Sequence, residues 1–231
     1  MKKERIELID ALRGLAALLM VIHHALFDLV EFLGAPEWLF SNPVFNFLHY
    51  IFAGVFILLA GVSSRFSHSN LKRGGLTALA ALAVTGASYL VGEPIKFGVL
   101  HLLASCMLLY AARRRPYGGE PFKLAGVAYV LLIVLSALAV RYMPIHFAGS
   151  WILGWTGTGF YSADYFPLLP WVFVFLLGAW AGYYVRERRL PEWFYTLKIP
   201  FFPSVGRKSL FIYLAHQPAL YGLVLLILHA R

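Results

Sequence analysis

Several ionisable side chains lie inside the first apolar segment of the sequence, and two of them are placed to interact with each other. They are His24 and Asp28, which are four residues apart and therefore share one face of a helix. A carboxylate in that position can accept a proton from one imidazole nitrogen and leave the other free as a base. The pair is a candidate for chemistry, and a structural polar pair that holds two helices together is the alternative.

The same helix face carries further polar groups along its length. Residues spaced by three and four follow it in the order Asp10, Arg13, Ala17, Val21, His24, Asp28 and Glu31. An ionisable side chain in a membrane span costs about 2.5–3.5 kcal/mol and tends to face a protein interior or a watery cavity. At a rise of about 1.5 Å per residue, Arg13 and His24 are about 16 Å apart. The sequence thus predicts an ionic stripe facing a passage.

Polar side chains in later segments are placed to meet this stripe. His49 and His101 each lie about one turn from the end of an apolar segment, and Pro218 interrupts the last one. A proline inside a helix leaves one carbonyl without its usual donor, which favours a cavity there. No two histidines have the i, i+4 ligand spacing on one helix, so we expect no metal. Interhelical hydrogen bonds are the alternative role for His49 and His101.

The elements that must position these groups are apolar segments of membrane-spanning length. Of the 231 residues, 60% are apolar and only 13% are charged, whereas about a quarter are charged in a soluble domain. A bilayer core needs about 20 apolar residues of helix. Seven segments meet or approach that length, at 11–32, 43–64, 74–92, 97–113, 122–142, 167–186 and 207–229. We predict an all-α polytopic membrane bundle of about seven transmembrane helices, forming one domain over residues 1–231.

The basic residues predict the orientation of the chain. The net charge of +9 would suggest nucleic-acid binding in a soluble protein, but the sequence has no RNA-binding or helix-turn-helix motif. With the N-terminus in the cytoplasm, all but three of the 20 lysines and arginines lie on the cytoplasmic side. The exceptions are Lys96, Arg141 and Arg231. This bias favours a cytoplasmic N-terminus in a bacterial-type inner membrane.

Glycine and aromatic patterns make two further predictions. Gly178 and Gly182 form a small-xxx-small pattern, and Gly54 and Gly61 are one heptad apart, which is typical of closely packed membrane helices. The longest link, residues 143–166, is rich in glycine and aromatic residues and almost uncharged. We expect it to lie at the membrane interface or to fold back onto the helices.

Four motifs, in this order, resemble the catalytic-domain family of heparan-alpha-glucosaminide N-acetyltransferase, a branch of a wider superfamily of membrane acyltransferases. The first is Ile9-Asp10-Ala11-Leu12-Arg13-Gly14-Leu15-Ala16, followed by an apolar run ending at His24. The others are LAGVSSRF at 59–66, FGVLHLL at 97–103 and GRKSLFIYLAHQP at 206–218. The resemblance covers essentially the whole chain.

The resemblance implies an acyltransferase that uses cytoplasmic acetyl-CoA and has a histidine as its key catalytic group. Carried onto this chain, that histidine is His24, which Asp28 would orient, and the arginine of the Leu-Arg-Gly motif is Arg13. The distance between Arg13 and His24 is comparable to the reach of an extended pantetheine arm, so a donor anchored at Arg13 would present its thioester near His24. The residues expected to hold the CoA phosphates are Arg13, Arg65, Arg73, Arg207 and Lys208.

The acceptor is expected on the opposite side, as a hydroxyl or amine of a glycan or amino-sugar-like molecule. The residues predicted to bind it are His49, Glu93, His101, His216 and Gln217. Some members of the family place the catalytic histidine in the loop after the first span, but residues 33–43 contain none. Either His24 takes the role, or this chain has lost it. Membrane lipid is a further expected partner, and the sequence is compatible with a homodimer.

Two functions without acyl transfer fit the same polar stripe. A transporter or flippase for a lipid or glycan precursor would need the cavity but no acyl donor. A structural subunit of a cell-envelope complex would pair the stripe with other helices and leave no open cavity. Binding of acetyl-CoA to the purified protein separates the enzyme from the transporter.

Overall fold

The computed structural model describes residues 5–112 and 121–230, and it is mainly helical. Helices make up 74% of it, and these residues form no strand. The helices of the described residues are α1 (Glu7–Leu33), α2 (Trp38–Ser41), α3 (Pro43–Phe66), α4 (Asn70–Leu90), α5 (Val99–Ala112), α6 (Ala125–Tyr142), α7 (Ser150–Leu153), α8 (Leu168–Arg186), α9 (Trp193–Thr196), α10 (Phe202–Arg207) and α11 (Ser209–His229).

All seven predicted apolar segments are helical, and five of these helices are long and apolar enough to cross a membrane. Those five are α1, α3, α6, α8 and α11. By contrast, α4 is less apolar because it contains Lys72 and Arg73 as well as threonine, serine and glycine, and α5 has only 14 residues. The predicted end of the fourth segment at 113 lies outside the described residues. So do six of the 20 basic residues whose distribution predicts the orientation, namely Lys2, Lys3, Arg113, Arg114, Arg115 and Arg231.

In the first of two compact units, α1 is the central helix. This unit comprises the residues up to Phe56 and those from Leu190 onward. Here α1 packs mainly against α10 and α11, with smaller contacts to α2 and α9. The helix α1 ends at Leu33 and is capped by Gly34, whose φ of 70° is a left-handed conformation that glycine adopts without a steric penalty. The candidate residues of the first and last predicted spans therefore share one unit.

The contact between α1 and α10 depends on two glycines. A Cβ on Gly14 would overlap the backbone oxygen of Phe202, and a Cβ on Gly206 would overlap the backbone oxygen of Asp10. The two helices therefore meet at backbone distance, as small residues allow. Because Gly14 and Gly206 belong to the first and the last of the four motifs, this contact brings the two motifs together.

The second unit, Ile57–Arg189, contains close helix contacts of the same kind. A Cβ on Gly61 would overlap the backbone oxygen of Phe175, and a Cβ on Gly178 would overlap that of Leu58. A Cβ on Gly182 would press on the backbone of Val62. The packing role predicted for these three glycines is confirmed. The short helix α5 packs against α4 and α8, and most of its residues are buried.

The 143–166 link folds back against the turn that precedes α5. Phe97 and Tyr165 form a parallel β-bridge. The Asp164 carboxylate accepts a hydrogen bond of 3.0 Å from the Val99 backbone N–H at the start of α5. A carboxylate is favourable there because the first N–H groups of a helix have no partner within the helix. This arrangement agrees with the second of the two placements predicted for the link.

Aromatic side chains fill the folded link. The rings of Trp151 and Phe160 are stacked with centroids 6.0 Å apart, and Phe160 contacts Tyr165 at 4.9 Å. The Tyr165 hydroxyl donates a hydrogen bond to the Trp151 carbonyl. Burial raises the pKa of Tyr165 to about 12, so this hydroxyl stays protonated and keeps donating throughout the neutral pH range.

Replacement of Gly14 by alanine tests the backbone contact between α1 and α10. We expect Gly14→Ala to lower the melting temperature of the detergent-purified protein clearly, because overpacking at such a contact costs about 1–3 kcal/mol. Gly222→Ala on α11 is the matched control, since nothing lies within 4 Å of a Cβ built there. It should leave the melting temperature unchanged or raise it, because alanine favours a helix more than glycine does. Equal melting temperatures for the two variants would contradict the proposed contact.

Candidate functional site

The candidate site lies within the first unit, where α1 packs against α11. His24 and Asp28 are on α1, and His216 and Gln217 are on α11. The helical structure of α11 continues through Pro218, the next residue. The structure thus brings together the four residues that the sequence analysis placed on the first and last spans.

A chain of hydrogen bonds determines which nitrogen of His24 carries a proton. His216 Nδ1 lies 2.6 Å from the Tyr213 carbonyl oxygen, which only accepts, so Nδ1 is the donor. In the neutral imidazole, His216 Nε2 is then an acceptor. It lies 2.9 Å from His24 Nδ1, which must therefore carry the proton. His24 Nε2 is left with its lone pair, and it forms no hydrogen bond with any of the described residues.

Gln217 lies between His24 and Asp28. Its Oε1 is 3.1 Å from His24 Nδ1, and its Nε2 donates to the Asp28 carboxylate oxygens at 3.0 and 3.3 Å. The prediction of a direct hydrogen bond between His24 and Asp28 is therefore wrong. Spacing on one helix put the two side chains on one face, but Gln217 on the neighbouring helix occupies the space between them. Asp28 is only 2% exposed, so the amide is essential to its solvation.

The orientation of the Gln217 amide follows from its neighbours. A carboxylate only accepts, so the NH₂ group must face Asp28. The amide oxygen then faces His24 and accepts from Nδ1–H, which is the same tautomer that His216 requires. Two independent contacts thus select one protonation pattern for His24, which is the arrangement of a base oriented by a partner.

A second pair of imidazoles lies in the same unit. His23 and His49 are stacked with ring centroids 3.9 Å apart, and Phe40 contacts His23 at 4.9 Å. His23 Nδ1 is buried and has no hydrogen-bond partner among the described residues. Sequence reasoning selected His49 but passed over His23, although its position beside His24 on the first span was visible.

The predicted donor-binding residues of the first unit lie near the Gly14–Gly206 contact. Arg13 precedes Gly14 and forms an ion pair of 3.0 Å with Asp10. Arg207 and Lys208 follow Gly206 directly and are exposed. The backbone contact therefore brings the three cations of the two motifs to the same end of α1, while His24 and Asp28 lie further along that helix.

Arg65 and Arg73 lie in the second unit, around the turn between α3 and α4. The guanidinium of Arg65 is buried and lies 5.4 Å from the centre of the Tyr183 ring. Arg73 Nη1 donates to the Ser63 carbonyl oxygen and to Asn70 Oδ1, both at 3.4 Å. These contacts stabilise the turn itself. Binding of CoA phosphates by the two arginines stays a prediction.

His101 and Glu93 also lie in the second unit. His101 Nδ1 accepts from the Gly98 backbone N–H at 3.2 Å, so Nε2 carries the proton and donates to Thr85 Oγ1 at 3.1 Å. Both ring nitrogens are therefore used within the protein, and the predicted contact of His101 with the acceptor gains no support. The Glu93 carboxylate accepts a hydrogen bond from the exposed Tyr161 hydroxyl, and its predicted contact with the acceptor stays a prediction.

The arrangement can perform proton transfer or nucleophilic attack at His24 Nε2. A neutral imidazole with its other nitrogen held by acceptors has the form of a general base or an activated nucleophile. Residues 5–112 and 121–230 contain no group of three His, Cys, Asp or Glu side chains arranged to hold a metal ion.

The apolar helices and the polar site among them define an integral membrane protein. Residues 5–218 match the family described as heparan-alpha-glucosaminide N-acetyltransferase, catalytic. The chain belongs to this family, as its four motifs predicted, and this membership indicates a membrane acyltransferase. Comparison with curated proteins and with solved structures gave no match.

A double-mutant cycle on Asp28 and Gln217 tests the buried contact. Gln217→Leu removes the only donor to Asp28 among the described residues. We expect the free energy of unfolding to fall by about 1–3 kcal/mol, or by more if the unpaired group is charged. The double variant Asp28→Leu/Gln217→Leu should recover part of this loss, because no buried polar group is left without a partner. Thermal unfolding in detergent measures both effects. Additive losses in melting temperature would show that the two side chains do not interact.

Proposed function

We propose that this protein transfers an acetyl group from cytoplasmic acetyl-CoA to a hydroxyl or amine of a glycan-type acceptor, at or across the membrane. The observation that carries the proposal is the free lone pair on His24 Nε2, which follows from the hydrogen bonds of Nδ1 to His216 and Gln217. Family membership supports acyl transfer as the reaction class.

His24 has two routes to the product. As a base, Nε2 takes the proton of the acceptor hydroxyl or amine while the acceptor atom attacks the thioester carbonyl. The C–S bond then breaks, and the CoA thiolate takes the proton back from the imidazolium. As a nucleophile, Nε2 attacks the thioester carbonyl, the C–S bond breaks, and CoA leaves as the thiolate while the acetyl group stays on Nε2. The acceptor then attacks this acetyl group, the bond to Nε2 breaks, and the acceptor's proton passes to the CoA thiolate. In both routes the Nδ1–H bonds to His216 and Gln217 stabilise the ring when it gains positive charge.

The proposed topology places donor and acceptor on opposite sides. We propose seven spans in a bacterial-type inner membrane, with α4 and α5 as the two additional crossings and the N-terminus in the cytoplasm. Arg13, Arg207 and Lys208 then face the cytoplasm, where an arginine fork and a lysine charge suit phosphate groups. In this arrangement Glu93 and His49 lie towards the opposite side and are proposed to contact the acceptor. Arg65 and Arg73 are proposed as further cytoplasmic cations.

Removal of the His24 imidazole tests the mechanism. We expect His24→Ala to lower kcat for transfer from labelled acetyl-CoA by at least about 10²-fold, which is the usual contribution of a positioned base. His68→Ala is the control, because His68 is exposed in the link between α3 and α4, and it should keep full activity. Unchanged turnover in His24→Ala would remove this residue from the mechanism.

The role of Arg13 in donor binding is tested with two donors. Arg13→Gln should raise KM for acetyl-CoA by about tenfold, because a charge-assisted hydrogen bond to a phosphate contributes about 1.5–3 kcal/mol. KM for S-acetylpantetheine, which has no nucleotide phosphates, should not change. Lys123→Gln, which removes an exposed cation before α6, controls for the loss of one positive charge. An equal rise of KM for both donors would assign Arg13 a structural role instead.

A transporter or flippase of a lipid or glycan precursor is the alternative function. Family membership favours the enzyme over it. The transporter would move its substrate across proteoliposomes without acetyl-CoA and would not bind acetyl-CoA in detergent. Tight binding of acetyl-CoA together with transfer of its acetyl group to an amino sugar would support the acyltransferase function.

A further inference from the structure

A small cavity lies at the C-terminal end of α6, within the second unit. Its volume is about 340 Å³, within the range of about 300–1,000 Å³ that is usual for small-molecule sites. Its wall includes one cation, one imidazole, one indole and two hydroxyl groups. These side chains are Arg141, His146, Trp155, Tyr142 and Thr156. The site residues of the first unit and the predicted donor residues do not contribute to it.

The basic side chain of this cavity is available to an anion. Arg141 is exposed, and no carboxylate among the described residues lies within salt-bridge distance of its guanidinium, which lies 5.6 Å from the Tyr142 ring centre. His146 is also exposed and forms no hydrogen bond with the described residues. A guanidinium without a carboxylate partner, beside a hydroxyl and an imidazole, suits the oxygens of a phosphate group.

The opposite wall of the cavity is held in place by the backbone. The Trp155 indole N–H donates to the Ala139 carbonyl oxygen at 3.4 Å, which holds the ring against α6. Gly154 has a φ of 126°, and a Cβ there would lie 3.0 Å from a Val140 methyl group. A side chain at position 154 would therefore be strained and would press into this wall, so glycine keeps the wall close to α6.

One face of α6, the helix that leads to the cavity, is exposed along its apolar length. Only Gly126 of α6 is buried. Leu131, Val134 and Leu138 are exposed and, with Arg141, are spaced by three, four and three residues, so they lie along one face. From Leu131 to Arg141 this face is about 15 Å long, which is half of a hydrocarbon core of about 30 Å. The face therefore has the length of one lipid acyl chain and ends in a cation.

We propose that the cavity at the end of α6 binds the headgroup phosphate of an anionic phospholipid whose acyl chain lies along the exposed face of α6. Arg141 is the main phosphate ligand, and His146 and Thr156 are placed to contact the remaining headgroup oxygens. The apolar face provides a contact surface for an acyl chain, which inorganic phosphate lacks. The combination of this face with the cation therefore favours a lipid over a free anion. Basic pockets beside membrane helices bind anionic headgroups in this way.

Retention of lipid by the purified protein tests the proposal. The full chain is exchanged into mixed micelles with equal amounts of phosphatidylglycerol and phosphatidylcholine, and bound lipid is counted by native mass spectrometry. We expect the wild-type protein to retain phosphatidylglycerol preferentially. Arg141→Gln should lower the ratio of bound phosphatidylglycerol to bound phosphatidylcholine about fivefold. This factor corresponds to the attraction of about 1 kcal/mol between one basic residue and an anionic lipid surface. Arg141→Lys should keep part of the preference.

The matched control is Lys123→Gln, which removes an exposed cation that precedes α6 at its other end and should leave the lipid ratio unchanged. Because Arg141 is exposed, its variants should give the same elution volume and melting temperature as the wild type, and these are measured in parallel. Equal retention of the two lipids, or an equal loss of preference in Lys123→Gln, would overturn the proposal. So would displacement of phosphatidylglycerol by millimolar inorganic phosphate at constant ionic strength, since this would identify a free-anion site.

Discussion

The site depends on one buried carboxylate. Asp28 is 2% exposed, and an ionisable group so far from water needs a donor inside the protein. Gln217 provides that donor, and in doing so it turns its amide oxygen towards His24. The protonation pattern of the imidazole therefore follows from the solvation of a residue that it does not touch. His216, which is held by the Tyr213 carbonyl, demands the same pattern, so two separate requirements agree.

A second constraint is the close contact of helix backbones at Gly14 and Gly206. Each glycine leaves room for a backbone oxygen of the other helix, and together they bring α10 against α1. Since α11 begins two residues after α10 ends, this contact also limits where α11 can run alongside α1. The hydrogen bonds of His24 with His216 and Gln217 need that alignment. The helix contact at Gly14 thus helps to maintain the hydrogen-bond geometry at His24, which lies further along the same helix.

Much of the fold could be predicted from the sequence, because the length and apolar character of a segment determine whether it forms a membrane helix. All seven segments form helices among the described residues, five of them long and apolar enough to cross a membrane. The four polar residues predicted on the first and last spans lie together: His24, Asp28, His216 and Gln217. The direct contact of His24 with Asp28 was wrong, since spacing along one helix does not reveal which side chain of another helix comes between. The stacking of His23 on His49 and the use of both His101 nitrogens were missed for the same reason.

The two acceptors on His24 Nδ1–H have a directional consequence. Rotation of the ring by 180° would break both hydrogen bonds and turn the Nδ1–H donor away from its two acceptors, so the imidazole is held in one orientation. Nδ1 faces α11, and Nε2 lies on the far edge of the ring. Any reagent that uses Nε2 must therefore approach from the side that α11 does not cover. An inhibitor aimed at this nitrogen needs a group that reaches it from that side, and a molecule wedged between α1 and α11 would miss it.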